Sequence, residues 1–210
     1  MTRAASDPAR KWWTLGLVAV GTFMLLLDVT IVNVALPSIH RSLKSSFSDL
    51  QWVVDAYALT LAAFLLTAGS LADRLGRRNV FLLGLVVFTA SSALCGLASS
   101  PVFLNLARGV QGAGGAMMFA TSLALLAQEF HGSERGTAFG VWGATLGGAV
   151  AIGPLVGGVL TQGLGWEYIF FLNVPIGLVA IYATATRLPN IRGRGGRICI
   201  CRVIIGGLAL

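Results

Sequence analysis

Charge is scarce in this chain, and negative charge scarcest. Of 210 residues only 8 are Asp or Glu and 15 are Lys or Arg, so 11% are charged, where a soluble domain carries about 25%. With 56% hydrophobic residues and a mean hydropathy of +0.81, the composition excludes a water-soluble globule. The two histidines, His40 and His131, fall in predicted links on opposite sides of any membrane and cannot cooperate. Three cysteines make no framework. Cys95 reads as a small buried apolar residue, while Cys199 and Cys201 form a lone Cys-x-Cys without further ligands nearby, so neither a metal nor a cofactor is implied. His-Glu-x-x-His, Gly-x-Ser-x-Gly and the phosphate-loop pattern are all missing, which argues against an enzyme and against ATP as an energy source. The formal charge of +7 does not point to nucleic acid, because most basic residues lie in short links beside apolar runs.

What the chain has instead is apolar length. Roughly 20 apolar residues cross a bilayer, and six spans can be marked at residues 12–36, 52–71, 80–97, 102–127, 137–160 and 168–186. The first is longer than the apolar core of a signal peptide, about 7–15 residues, and it carries Asp28 and Asn33 with no clear cleavage site after it. Residues 1–11 then form an N-terminal tail and 12–187 a six-helix transmembrane bundle. Residues 188–197 read as a basic, glycine-rich linker, and 198–210 as an incomplete seventh span. Placing Arg3, Arg10 and Lys11 in the cytoplasm also puts Arg74, Arg77, Arg78, Arg135 and Arg187 there, with only Arg41 and Lys44 outside. The positive-inside rule therefore predicts a cytoplasmic N-terminus.

Between the second and third spans lies Gly69-Ser-Leu-Ala-Asp73-Arg74-Leu-Gly76-Arg77-Arg78, a link too short for a domain and dense in charge and turn glycines. It reads as a tight cytoplasmic turn. At an offset of 89 residues, Gly69, Leu71, Leu75, Gly76, Phe81 and Leu83 align with Gly158, Leu160, Leu164, Gly165, Phe170 and Leu172. The end of span 2 is thereby matched with the end of span 5 on the opposite membrane face, as in a three-plus-three inverted repeat.

Ionisable groups inside spans cost roughly 2.5–3.5 kcal/mol each even on a lenient scale, so they mark function by default. Asp28 lies about 12 Å from the outer end of the first span, and Arg108 about 10 Å below the outer end of the fourth, at 1.5 Å per residue. Their similar depth permits contact. Asp55 sits nearer the outer interface, where a solvated helix end and a functional acid are equally good readings. On the fourth span Arg108, Gln111, Gly112 and Gly115 share one face. On the fifth, Gly136, Gly140, Gly143 and Gly147 at close spacing precede Gly153-Pro154-x2-Gly157-Gly158. Small residues let helices approach, and Pro154 removes a backbone donor, which suits a hinge or packing pivot.

These stretches carry a resemblance to a family. The 69–78 turn resembles the loop signature between the second and third helices of major facilitator superfamily transporters. Leu27-Asp-Val-Thr-Ile-Val-Asn-Val-Ala-Leu-Pro37 is similar to the first-helix signature of the fourteen-span drug:proton antiporter branch. Leu104-x3-Arg108-x2-Gln111-Gly112-x-Gly114 resembles the fourth-helix motif, and Gly148-x4-Gly153-Pro154-x2-Gly157-Gly158 the fifth-helix motif associated with antiporters. Trp166-Glu-Tyr-Ile-Phe-Phe-Leu-Asn-Val-Pro-Ile-Gly177 is similar to the start of helix 6 in that branch, although Glu167 stands where a basic residue is common.

The resemblance implies an all-α integral membrane protein: the six-helix N-terminal half of a major facilitator fold, with the start of a seventh span. It assigns Asp28 and Arg108 to proton coupling, and Gly69, Asp73, Arg74, Gly76, Arg77 and Arg78 to a cytoplasmic gate. Gly153, Pro154, Gly157 and Gly158 become a helix-5 pivot, and Gln111 and Gly112 the functional face of helix 4. The implied activity is efflux of amphipathic, often cationic compounds by proton antiport across a bacterial plasma membrane. Its partners would be protons, a small amphipathic substrate, the lipid bilayer and a C-terminal half absent from this sequence. A non-transporting fragment or assembly partner, and a permease for another substrate class, are the alternatives.

Overall fold

The computed structural model describes residues 8–188. Most of the basic linker, the apolar stretch at 198–210, Cys199 and Cys201 lie outside the described residues.

Among the described residues seven helices follow one another: α1 (Pro8–Leu43), α2 (Phe47–Leu75), α3 (Arg77–Gly96), α4 (Pro101–Glu129), α5 (Ser133–Gly163), α6 (Glu167–Phe171) and α7 (Asn173–Arg187). Among the described residues six helical stretches are long and apolar enough to cross a membrane, with α6 and α7 together making the sixth. Most helices outrun the apolar spans marked in the sequence, because polar caps extend them into the interface. Ser46 and Asp49 close a capping box at the start of α2. Ser100 accepts from the Phe103 N–H ahead of Pro101, which opens α4 without wasting a donor.

Proline breaks only one of the spans. α1 runs through Pro37 and α5 through Pro154, since one lost backbone bond does not end a long helix. The sixth span instead interrupts itself at Leu172, three residues ahead of Pro175. Pro175 offers no N–H to the Phe171 carbonyl, and the chain restarts as α7.

The bundle is a pseudo-symmetric pair of three-helix units. α1 packs chiefly on α5, while its counterpart α4 packs chiefly on α2. The aligned glycines Gly76 and Gly165 occupy equivalent turns at opposite ends of the bundle, with φ of 93° and 120°. That left-handed region excludes most side chains. Their aligned neighbours Phe81 and Phe170 are both fully buried.

Three close crossings seat a threonine over a glycine. Thr60 of α2 lies on Gly112 of α4, Thr30 of α1 on Gly153 of α5, and Thr89 of α3 on Gly177 of α7. A Cβ at any of these glycines would overlap the threonine hydroxyl oxygen, and at Gly112 it would also strike the Tyr57 carbonyl. Thr60 and Thr30 donate their hydroxyls back to their own helices, to the Ala56 and Leu26 carbonyls at 2.8 and 3.0 Å. The contact between helices is therefore one of shape rather than polar bonding. α3 reaches α4 without a threonine, Gly84 and Gly114 lying backbone against backbone.

Many glycines of α5, including Gly136, Gly140, Gly143 and Gly147, have nothing within 4 Å of a Cβ position. Gly112→Ala is expected to lower unfolding stability in micelles by about 1–3 kcal/mol through overpacking. Gly140→Ala should leave it level or raise it. Thermal melts of the two variants measure the contrast, and equal melts would refute the crossing geometry.

Candidate functional site

At the centre of the bundle every helix except α5 contributes to one polar network built around a single carboxylate. Arg108 of α4 donates through Nη1 to Asp28 Oδ2 of α1 at 2.5 Å, and both residues are at most 3% exposed. Gln111, one turn after Arg108, donates from Nε2 to Asp28 Oδ1 at 3.0 Å. Asn173, the first residue of α7, donates to the same oxygen at 3.3 Å. Asp28 thus accepts three bonds from three fixed donors.

The second layer closes the network. The Gln111 carbonyl oxygen accepts from Arg108 at 2.8 Å and from the Cys95 thiol at 3.6 Å. Ser92 of α3 accepts from the Gln111 and Asn173 amides at 3.3 and 3.2 Å, and donates its one proton to the Phe170 carbonyl at 3.0 Å. That bond serves a carbonyl beside the interruption between α6 and α7. Arg108 Nε donates to the Val53 carbonyl of α2 at 3.0 Å, and the guanidinium lies 4.2 Å from the centre of the Tyr57 ring. A buried charge this well surrounded offsets a desolvation cost of several kcal/mol, which an isolated arginine could not.

The network is not sealed. A cavity of about 240 Å³ between α1 and α2 reaches Arg108 and Tyr57, with Val29, Val54 and Leu61 among its walls. The structure therefore brings together Asp28, Arg108 and Gln111, the ionic pair and the polar face that the spacing suggested. Gly112 does something different from lining a site: it admits α2. Asp55 is exposed beside an apolar pocket between the end of α1 and the start of α2.

The 69–78 turn divides into two groups. Gly76 supplies the left-handed turn, and Arg77 and Arg78 face inward. Arg77 donates to the Ala124 carbonyl of α4 at 2.9 Å, and Arg78 to the Ala185 carbonyl in the last turn of α7 at 2.6 Å, where carbonyls lack helical partners. Asp73 and Arg74 are exposed, with Asp73 held only by Arg77 at 3.9 Å, and Gly69 meets open space. On α5, Gly153 and Gly157 face α1, whereas Pro154 and Gly158 do not touch it closely.

Sequence reasoning passed over Ser92 and Tyr57, and gave Asn173 no role. Asn173 could have been flagged as an amide placed two residues before a proline inside an apolar span. Ser92 and Tyr57 carry no such signal, since Ser91 and Ser92 look alike in sequence and tyrosine is ordinary in a membrane helix.

The helical bundle, its inverted repeat and its central ion pair define a polytopic membrane protein of two interlocked three-helix units. Residues 18–197 match the family model of the Major Facilitator Superfamily, and the chain belongs to that superfamily. It is 42% identical over 191 residues to the tetracenomycin C resistance and export protein of Streptomyces glaucescens, covering 91% of this chain and 36% of that protein. To the methylenomycin A resistance protein of Bacillus subtilis it is 41% identical over 194 residues, covering 92% and 42%. To the multidrug resistance protein Stp of Mycobacterium tuberculosis it is 44% identical over 172 residues, covering 81% and 32%. The chain thus spans about a third to two fifths of the length of these relatives.

Removing one partner of the central pair strands the other. Arg108→Leu alone is expected to cost about 3–5 kcal/mol, while the double change Asp28→Leu with Arg108→Leu costs less than the two singles summed. Unfolding of the three variants in mixed micelles tests this, and simple additivity would show that the pair is not coupled.

Proposed function

We propose that this chain is one bundle of a secondary active exporter of amphipathic, drug-like compounds, and that inward proton movement drives it. The observation that carries the reading is the convergence of Arg108, Gln111 and Asn173 on the single buried carboxylate of Asp28, beside a cavity that reaches Arg108. A proton arriving at Asp28 removes the negative charge that holds three helices in register. Such an event converts a proton gradient into a change of helix packing. The resistance and export proteins among its relatives supply the substrate class. Carriers of this fold bind their cargo between two bundles, so a second bundle completes the site.

In this reading the charged end of the bundle, with Arg10, Arg74, Arg77, Arg78, Arg135 and Arg187, faces the cytoplasm of a bacterial cell. Asp73 and Arg74 are exposed there, Gly69 has open space beside it, and the three form the part of the turn free to meet the second bundle as a gate. Gly153, Pro154, Gly157 and Gly158 give α5 its pivot, because Gly153 and Gly157 slide on α1 while Pro154 leaves one backbone bond unmade.

The test is efflux of a fluorescent cationic dye from proteoliposomes under an imposed pH gradient, using a carrier that contains this bundle. Asp28→Asn is expected to abolish gradient-driven efflux with insertion unchanged, and Asp73→Asn to slow it without removing its dependence on the gradient. Full gradient-driven efflux by Asp28→Asn would overturn the proposal.

A further inference from the structure

The pseudo-symmetry fails at one place. α3 lies tight against α4 through Gly84 and Gly114, but the equivalent pair, α7 and α1, diverges and leaves an outward groove of about 570 Å³. Gly16 and Val20 of α1 face Ile176, Val179 and Ala183 of α7 across it, with Trp13 at its charged end. Gly16 has nothing within 4 Å of a Cβ position, so the space is open rather than merely thinly packed.

The groove ends in a cation. Arg187 stands one helical turn beyond Ala183 on the same face, with its guanidinium 5.3 Å from the centre of the Trp13 ring. Three neighbouring cations at this end are paired with carboxylates, Arg10 with Glu129, Lys11 with Glu134 and Arg77 with Asp73, and Arg78 is bonded to the Ala185 carbonyl. Arg187 has no carboxylate within 4.0 Å among the described residues. An apolar channel closed by an indole and by a guanidinium with no carboxylate among the described residues is complementary to an amphiphile with an anionic head. Its length fits as well. Trp13 to Val20 and Ile176 to Ala183 each rise about 10 Å, two thirds of the roughly 15 Å hydrocarbon depth of one leaflet.

We propose that this groove is a binding site for an anionic phospholipid, with one acyl chain between α1 and α7 and the phosphate on Arg187. The site rests on the membrane setting of the chain and not on the transport reading above. The apolar stretch at 198–210 is a poorer occupant, since its only charged residue is Arg202, which would repel Arg187.

The experiment is native mass spectrometry of the 210-residue chain in neutral detergent, titrated with phosphatidylglycerol or phosphatidylcholine. A one-to-one phosphatidylglycerol adduct is expected, retained about fivefold better than phosphatidylcholine, as one interfacial cation provides. Arg187→Gln should erase that preference, and Gly16→Phe, which fills open space, should remove the adduct. If Gly16→Phe does not fold by circular dichroism, Val179→Trp fills the groove from the other wall. Equal retention of the two lipids by the native chain would overturn the proposal, as would an adduct indifferent to Arg187→Gln and to groove filling. So would phosphatidylglycerol binding that occurs only when residues 198–210 are removed, since that result assigns the groove to the chain itself.

Discussion

The bond from Arg108 to Asp28 constrains everything around it. Neither charge is tolerable in an apolar interior without the other, and each needs further partners to use its remaining donors and acceptors. Those partners come from α2, α4 and α7, as the Val53 carbonyl, Gln111 and Asn173, and behind them Ser92 of α3 and the Phe170 carbonyl of α6 hold the two amides in place. A helix displaced by one residue would leave a buried polar atom unsatisfied. The central pair therefore fixes register in a bundle whose apolar surfaces, being equally content against lipid, could not fix it alone.

Register in the other directions comes from shape. Three threonine-over-glycine crossings set how near α2, α1 and α3 come to α4, α5 and α7. At the charged end, Arg77 and Arg78 tie the start of α3 to carbonyls of α4 and α7. These three helices are thus joined at the core, at a glycine seam and at one end. By contrast α2 and α5 keep broad exposed faces, and α5 carries glycines there that touch nothing in this chain.

Much of this was legible in the residues. Six apolar runs gave the spans, the 89-residue echo gave the inversion, and the depths of Asp28 and Arg108 gave their meeting. Helix ends were less legible, because Ser46 with Asp49 and Ser100 with Pro101 extend helices beyond the apolar runs by local bonding that hydropathy ignores. The arginines of the 69–78 turn read as one gate in the sequence, yet two of the three bond helix carbonyls, and no linear pattern reveals where another helix ends. Ser92 and Tyr57 acquire meaning only from tertiary neighbours. The interruption at Leu172 was masked by the even hydropathy of the sixth span, although Pro175 marked it.

The paired threonine and glycine crossings also bear on how this sequence can drift. At Gly112, Gly153 and Gly177 any gain of a side chain meets an occupied space, so no single step leads away from glycine while its threonine remains. Shrinking the threonine does not relieve them: at Gly112 a Cβ would still strike the Tyr57 carbonyl, and at Gly153 and Gly177 the threonine Cβ, which serine or alanine would keep, lies 2.6 and 2.9 Å away. These three points are therefore closed to change from both sides, and a side chain gained at any of the glycines requires the two backbones themselves to move apart.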